Sequence, residues 1–493
     1  MAADLTELVD ELPLVDHHVH GATAHDLSRR AFEELITESD RPVPAWMTMF
    51  DSQLGHAILR HCAPELGLDP HTSPEEYLAR RARLGADEVN RRLLGASGVE
   101  HYLLETGYRG EEILGPGGMA EVTGVPVDEV VRLEQVAEQV AASGCGAGAF
   151  ARRFAEALWE RTRTARGLKT VVAYRHGLDF DPSRPSAAEV AEAAGRWLGE
   201  GEAVGRRLGE GEAAGRRLGE GEAAGRRLGE GEAAGRRLGE AEAAGRRPGE
   251  SQAAPDDAPP GRPGGGTGTG PDDAPHGGSG GGAGTGPDDG FRRGPERRLG
   301  LVQDAVPVTA ADQRRRGWRV TDPVLLRHLI WTGLDRGLPL QFHTGFGDPD
   351  VDLRRADPLL LRGFVERAEP TGVPIMLLHC YPYVRHAGHL AHAYPAVHLD
   401  VGLGVTYTGA RAAALVAQSL EVAPFAKLLF SSDAWGPAEL HHLGATLWRR
   451  ALARVLGEFV AEGEWSAGQA ARVAAMVAAG NARRVYDLTA PRP

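Results

Sequence analysis

The residues Asp16-His17-His18-Val19-His20 close a short apolar run, 12–19 (LPLVDHHV). If that run is a β-strand, alternate side chains share a face, and His18 and His20 point the same way about 7 Å apart. Two imidazoles tipped towards a common point chelate a divalent cation. Three more polar residues end apolar runs in the same manner: His343 in Gln341-Phe342-His343-Thr344-Gly345, His379 in Leu377-Leu378-His379-Cys380, and Asp433 in Ser431-Ser432-Asp433. Taken singly, each reads as a satisfied core residue. Taken together they point to a shared ligand, because a buried imidazole or carboxylate without a partner costs several kcal/mol. Imidazole plus carboxylate suits Zn2+, with Mn2+ or Fe2+ as alternatives.

The elements that must carry these groups are legible as short apolar runs separated by helical patterns. Candidate strands are 12–19, 99–105, 129–134, 168–174, 338–343, 373–379, 396–401 and 427–432, and helical patterns include 322–336 and 410–421. Eight buried strands alternating with helices predict an α/β fold, a (β/α)8 TIM barrel, whose active site gathers at the C-terminal ends of its strands. An open doubly wound sheet is the structural alternative. No GxGxxG follows the first strand, which argues against a dinucleotide-binding version of it.

The barrel is interrupted. From Ala191 to Glu250 a ten-residue unit of the type GEAAGRRLGE repeats six times. At about 100° per residue its successive leucines, Leu208, Leu218 and Leu228, fall roughly 80° out of step, so no apolar stripe forms. The unit predicts an exposed, fraying helix or disorder. The next fifty residues, 251–300, hold 16 Gly and 8 Pro and read as a flexible linker that cannot bury a core. The expected organisation is therefore 1–190 as the first half of the barrel, 191–250 as the repeat insertion, 251–300 as the linker, and 301–493 as the second half.

Over 493 residues the chain carries 55 basic and 68 acidic residues, a net charge of −13, and no basic stripe, which excludes nucleic acid as the expected partner. No apolar stretch reaches 18 residues, so no membrane span is predicted. The acidic N-terminus lacks the pattern of a secretory signal. Three scattered cysteines, Cys62, Cys145 and Cys380, form no disulfide framework. These features suit a cytoplasmic protein acting on a small molecule, with homo-oligomerisation left open. Only Lys169 and Lys427 are lysines.

The set HxH, His343, His379 and Asp433 resembles the amidohydrolase superfamily. The stretches LKTVVAYRHGL, LPLQFHTGFGDPDVDL, LLHCYPYVRHAGHLAHAYPAVHLDVGLG and SSDAWGPAEL are similar to the amidohydrolase-2 (amidohydrolase-related) branch. Within it they resemble the domain found fused in front of glutamine-synthetase-like domains. The likeness covers about 1–185 and 301–490. It departs from the family in the insertion and in having no synthetase-like domain within the chain. The resemblance implies that His18, His20, His343 and Asp433 are metal ligands and that His379 orients or polarises, or holds a second metal in binuclear relatives. A second metal would need a bridging group such as a carboxylated Lys169. Lys169 sits about six residues before Arg175 and His176, so the default expectation is one ion per chain and a lysine anchoring the lower face of the barrel.

The mechanism expected from this set is a metal-activated water, with Asp433 as proton acceptor and donor and His379 steadying the oxyanion. Arg175 and Arg385 are candidates to clamp a substrate carboxylate, and Asp348, Tyr381 and Tyr383 to line the pocket. The leading function is hydrolysis of a C–N bond in a small acidic compound. The alternatives are zinc-dependent non-oxidative decarboxylation and a non-catalytic metal-bearing scaffold. From composition, deleting 191–300 is expected to leave fold and metal binding intact, and loss of soluble expression would contradict that.

Overall fold

The computed structural model describes residues 2–199 and 318–489. The repeats beyond 199 and the Gly/Pro-rich segment lie outside the described residues, so the expectations for them stay as stated. The chain divides into one unit made of 1–209 with 310–493 and another of 210–309. Everything below concerns the first.

Seven parallel strands form one sheet in chain order: β1 (Leu14–Val19), β2 (Val99–Glu105), β3 (Val127–Arg132), β4 (Gly167–Thr170), β5 (Leu340–His343), β6 (Ile375–Leu378) and β7 (Val397–Leu399). Parallel neighbours require crossovers. Helices supply them, among them Leu133–Ala142 and Ala147–Arg161 before β4, Pro323–Leu334 before β5, and Val384–Ala393 before β7. Pro323–Leu334 begins where the sequence invites it. Proline stands in the first turn, and the Asp322 side chain accepts from the backbone N–H of Val324 and Leu325.

The strand predicted at 427–432 is an extended segment with one bridge, Leu399 to Leu428. Its backbone nonetheless bonds on both sides. Leu429 N–H donates to Leu399 O of β7 at 3.1 Å. On the other side His17 N–H donates to Phe430 O at 3.3 Å, and Asp433 N–H donates to His18 O of β1 at 3.1 Å. The segment thus stands in eighth place and joins the two edges of the sheet, which answers the edge problem of an open parallel sheet.

Inside the curl, Val15, Leu103, Val130, Met376, Leu378 and Leu429 pack with Ala479, Ala482 and Tyr486 from the C-terminal end of the chain. Alternate strand residues therefore fill the interior below the site, and the closing helix Asn481–Val485 stoppers it. A larger cluster fills the space between the sheet and the surrounding helices. Among the described residues no helix is long and apolar enough to cross a membrane.

Two expectations change here. Strand four was expected to run to 174. It ends at Thr170 and the chain turns into a helical turn, Val172–Arg175, so Lys169 lies at the strand's upper end and not on the lower face. The break expected at 190 runs through a helix spanning 187–199. Ala193, Ala194, Trp197 and Leu198 of this helix are buried in the core. Trp197 meets Phe150 edge-on at 5.5 Å between ring centroids. The first repeat unit was enlisted by packing, through the single Trp that distinguishes it from its copies. Trp197→Ala is therefore expected to lower unfolding free energy by about 3–5 kcal/mol in a denaturant titration, and deletion from 191 to cost soluble protein. A Trp197→Ala chain as stable as wild type would contradict this packing.

Candidate metal centre

The carboxyl ends of the strands converge on a cavity of about 420 Å3 lined by His18, His20, Lys169, His343, His379 and Asp433, among others. Burial leaves all four imidazoles below the usual histidine range: His20 is lowered to about 4, and His18, His343 and His379 well below 6.5. They are neutral near pH 7, the form that offers a lone pair to a metal.

Which nitrogen offers it is decided by fixed hydrogen bonds. His18 Nδ1–H donates to Gln341 Oε1 at 2.8 Å, and His20 Nδ1–H donates to the Glu105 carbonyl at 2.9 Å. Both Nε2 atoms are thereby left as acceptors. His18 Nε2 lies 3.0 Å and His20 Nε2 3.8 Å from Asp433 Oδ1. Ligand atoms of these three residues all lie within 4.8 Å of one another. In addition, His343 Nε2 and both ring nitrogens of His379 are buried with no hydrogen-bond partner. Orphaned imidazole nitrogens beside a cluster of donors are what a bound cation would explain, so the residues present fit a divalent metal.

The backbone is strained to deliver these groups. His379, Cys380 and Asp433 have φ of +69°, +50° and +52°, a left-handed conformation that costs non-glycine residues about 1 kcal/mol or more each. Asp400 offsets part of this by accepting from His379 N–H at 2.8 Å. A Cβ at Gly347 would stand 2.1 Å from Tyr174 Oη and 3.0 Å from His343 Nε2, so only glycine lets that loop close over the pair.

A buried network supports the floor. Gln341 Nε2 donates to His17 O at 2.8 Å and to the Tyr486 hydroxyl at 2.9 Å. His17 Nδ1 meets the same hydroxyl at 3.0 Å, and His17 Nε2 meets Asp400 Oδ2 at 3.0 Å. His441 Nε2–H, from the long helix Ala438–Ala461, donates to His20 O at 2.9 Å. Arg132 pairs with Glu105. Its charge and the Gly107 N–H hold the Glu105 carboxyl below its usual range against the effect of burial.

The remaining expected residues divide. Arg175 lines the cavity, pairs with Glu138 at 3.0 Å and keeps Nη1 buried without a partner. Asp348 also lines it, with burial raising its carboxyl. Arg385 does not reach it. It lies on an exposed helix face and clasps Glu421 at 2.6 and 2.8 Å. Tyr381 is 39% exposed and outside the lining, its carbonyl taken by Phe346 N–H at 2.7 Å. Tyr383 donates to Leu353 O on the surface. Lys169 corrects the lower-face expectation. Nζ lies 3.4 Å from His18 Nε2, and burial lowers the ammonium to about 8.

Sequence reasoning missed Glu105, Asp400 and Gln341. The first two carry the signal that found the ligands, a polar residue ending an apolar run. Gln341 sits two residues before His343, on the same strand face.

Residues 299–488 match the family model described as Amidohydrolase. Protein fluG of Emericella nidulans is 36% identical over 157 residues, 31% of this chain and 18% of fluG, so the match spans under a fifth of that relative. Among solved structures, one from Lactobacillus casei ATCC 334 designated a metal-dependent hydrolase aligns over 98% of both chains. Its TM-score is 0.67 and its identity 21%. Glucuronate isomerase from Caulobacter crescentus aligns over 99% of this chain and 94% of its own, with a TM-score of 0.52 and 14% identity. At these identities the likeness is one of fold.

Gln341→Leu removes the acceptor that sets the His18 tautomer without touching a ligand. It is expected to weaken metal affinity by about 10–100-fold in a chelator competition, and unchanged affinity would show that Gln341 does not orient His18.

Proposed function

We propose that the chain is a metal-dependent hydrolase on a closed (β/α)8 barrel, cleaving a C–N bond of a small acidic substrate. The observation that carries this reading is the convergence of His18, His20 and Asp433 donors in a cavity whose other imidazoles lack partners. The amidohydrolase match over 299–488 supports it. A divalent cation, Zn2+ or alternatively Mn2+, would be held by His18 and His20 through Nε2 and by Asp433, with His343 completing the set. When bound, it supplies Lewis acidity that polarises a carbonyl and lowers the pKa of water towards 7.

The side chains do the rest. Asp433 takes the proton of the attacking water as the C–O bond forms, then delivers it to the nitrogen as the C–N bond breaks. His379, whose Nε2 lies 3.3 Å from Asp433 Oδ2, steadies the developing oxyanion in this reading. Arg175 Nη1, buried and unpaired, is the donor for a substrate carboxylate. Tyr174 packs against His343, with ring centroids 4.4 Å apart and planes tilted by 51°. The position of Lys169 beside His18 favours a second reading, in which a carboxylated Lys169 would help to hold a second ion.

A panel of amides of small acids, carboxylated aromatics and uronates tests the reaction class. Turnover of amides is expected, falling by about 10²-fold or more in Asp433→Asn. Turnover of carboxylated aromatics alone, with release of CO2, would overturn hydrolysis in favour of decarboxylation. Bound metal with no turnover on any class would leave the scaffold reading.

A further inference from the structure

The metal cavity is not alone. A second cavity, of about 460 Å3, shares with it Thr37, Glu38, Ser39, Asp348 and Tyr407. These residues are the partition. Beyond it the second chamber is walled largely by apolar groups, including Ile36, Met49, Leu54, Phe346 and Val351.

The partition carries two carboxyl groups, Glu38 and Asp348. The Tyr407 hydroxyl donates to the Glu38 carboxylate, and Asp348 Oδ1 accepts from Asp350 N–H at 2.9 Å. Among the described residues neither carboxylate forms an ion pair with Lys, Arg or His. Arg319, whose charge reaches Asp348, is itself engaged by Asp350 at 2.9 Å. Burial raises both groups, and Asp348 raises Glu38 further. A second, independent feature lines the same metal cavity. Thr406 is 3% exposed, lines the metal cavity, and its hydroxyl has no hydrogen-bond partner.

Two carboxylates, an orphaned hydroxyl and aromatic faces are complementary to a cation. Tyr407 and Phe346 supply the aromatic faces, with centroids 5.5 Å apart. A metal ion is the poorer occupant, because the group of three converging donors among the described residues is His18, His20 and Asp433, and Glu38 and Asp348 bring no third ligand. An ammonium group matches the hydrogen-bonding needs, and the apolar chamber gives its carbon chain somewhere to lie.

We propose that Glu38 and Asp348 form a subsite for a protonated amine, whose hydrocarbon part occupies the apolar chamber while Thr406 accepts one of its N–H bonds. The subsite deepens the hydrolase reading and rests on it only for what happens to the bound molecule. The substrate it selects is an amide carrying an ammonium group, with Arg175 available for a carboxylate on the same molecule.

Isothermal titration of the full chain at pH 8 with n-hexylammonium, 1-hexanol and hexanoate tests the subsite. An alkylamine, like a lysine side chain with its pKa of about 10.4, is protonated there. Hexylammonium is expected to bind about tenfold or more tighter than hexanol, with hexanoate weakest. The preference is expected to vanish in Glu38→Gln and in Asp348→Asn. Equal affinities for hexylammonium and hexanol in wild type would overturn the proposal. So would a preference surviving both substitutions, since that is the behaviour of an amine coordinated at the metal. If Glu38→Gln does not fold, Asp348→Asn decides alone. No bond breaks in this titration. Loss of the preference therefore removes the subsite and leaves the amide panel standing, and an inactive panel with the preference intact removes the reaction and leaves the subsite.

Discussion

The structure turns on one cost, that of burying neutral imidazoles and a carboxylate at the carboxyl ends of parallel strands. Each unpaired group there is worth several kcal/mol of lost solvation. His18 and His20 meet that cost on one side, through Nδ1–H bonds to Gln341 and the Glu105 carbonyl. They leave it unmet on the other side, where Nε2 faces Asp433. His343 and His379 leave it unmet as well. A site that ties His18 and His20 from behind, while His343 Nε2 and both His379 ring nitrogens stay buried without a partner, is arranged around something absent from the protein chain itself.

The rest of the barrel follows from holding that arrangement. Tyr486, just after the helix Asn481–Val485, is tied through Gln341 to His18 of the first strand. Its packing against Val15, Leu103 and Met376 is therefore also a constraint on the site. Asp16 accepts from Ser432 N–H at 3.0 Å and pulls the eighth segment against β1. Burial raises its carboxyl to about 7 in spite of that bond. The positive φ angles of His379 and Asp433 are strain that the same bonds sustain. Bonds far apart in sequence, such as Gln341 with Tyr486, make the centre a property of the closed sheet and not of any one motif.

Much of this was legible before any coordinates. The seven strands and the extended segment in eighth place could be located from apolar runs because strands buried on both faces are nearly continuous in Val, Ile and Leu. The HxH pair, His343, His379 and Asp433 stood out because polar residues ending such runs are few. Strand four misled because Val171 and Val172 extend the apolar run past the point where the backbone turns helical, which displaced Lys169 in the reading. Arg385 and Tyr381 misled because proximity in sequence to a strand end says nothing about which way a helix or loop then faces. The supporting groups, Glu105 and Asp400, carried the same signal as the ligands. The helix at 187–199 was hidden by the repeats, since a periodic pattern without an apolar stripe gives no hint that its first copy packs into the core.

The central claim is that the imidazole lone pairs meet on a metal. Elemental analysis of the full chain purified without chelators, alongside His18→Ala, tests it most directly. The account predicts about one Zn2+ or Mn2+ per chain in the wild type and its loss in the variant. A chain without divalent metal, or a His18→Ala chain that keeps it, would contradict the account.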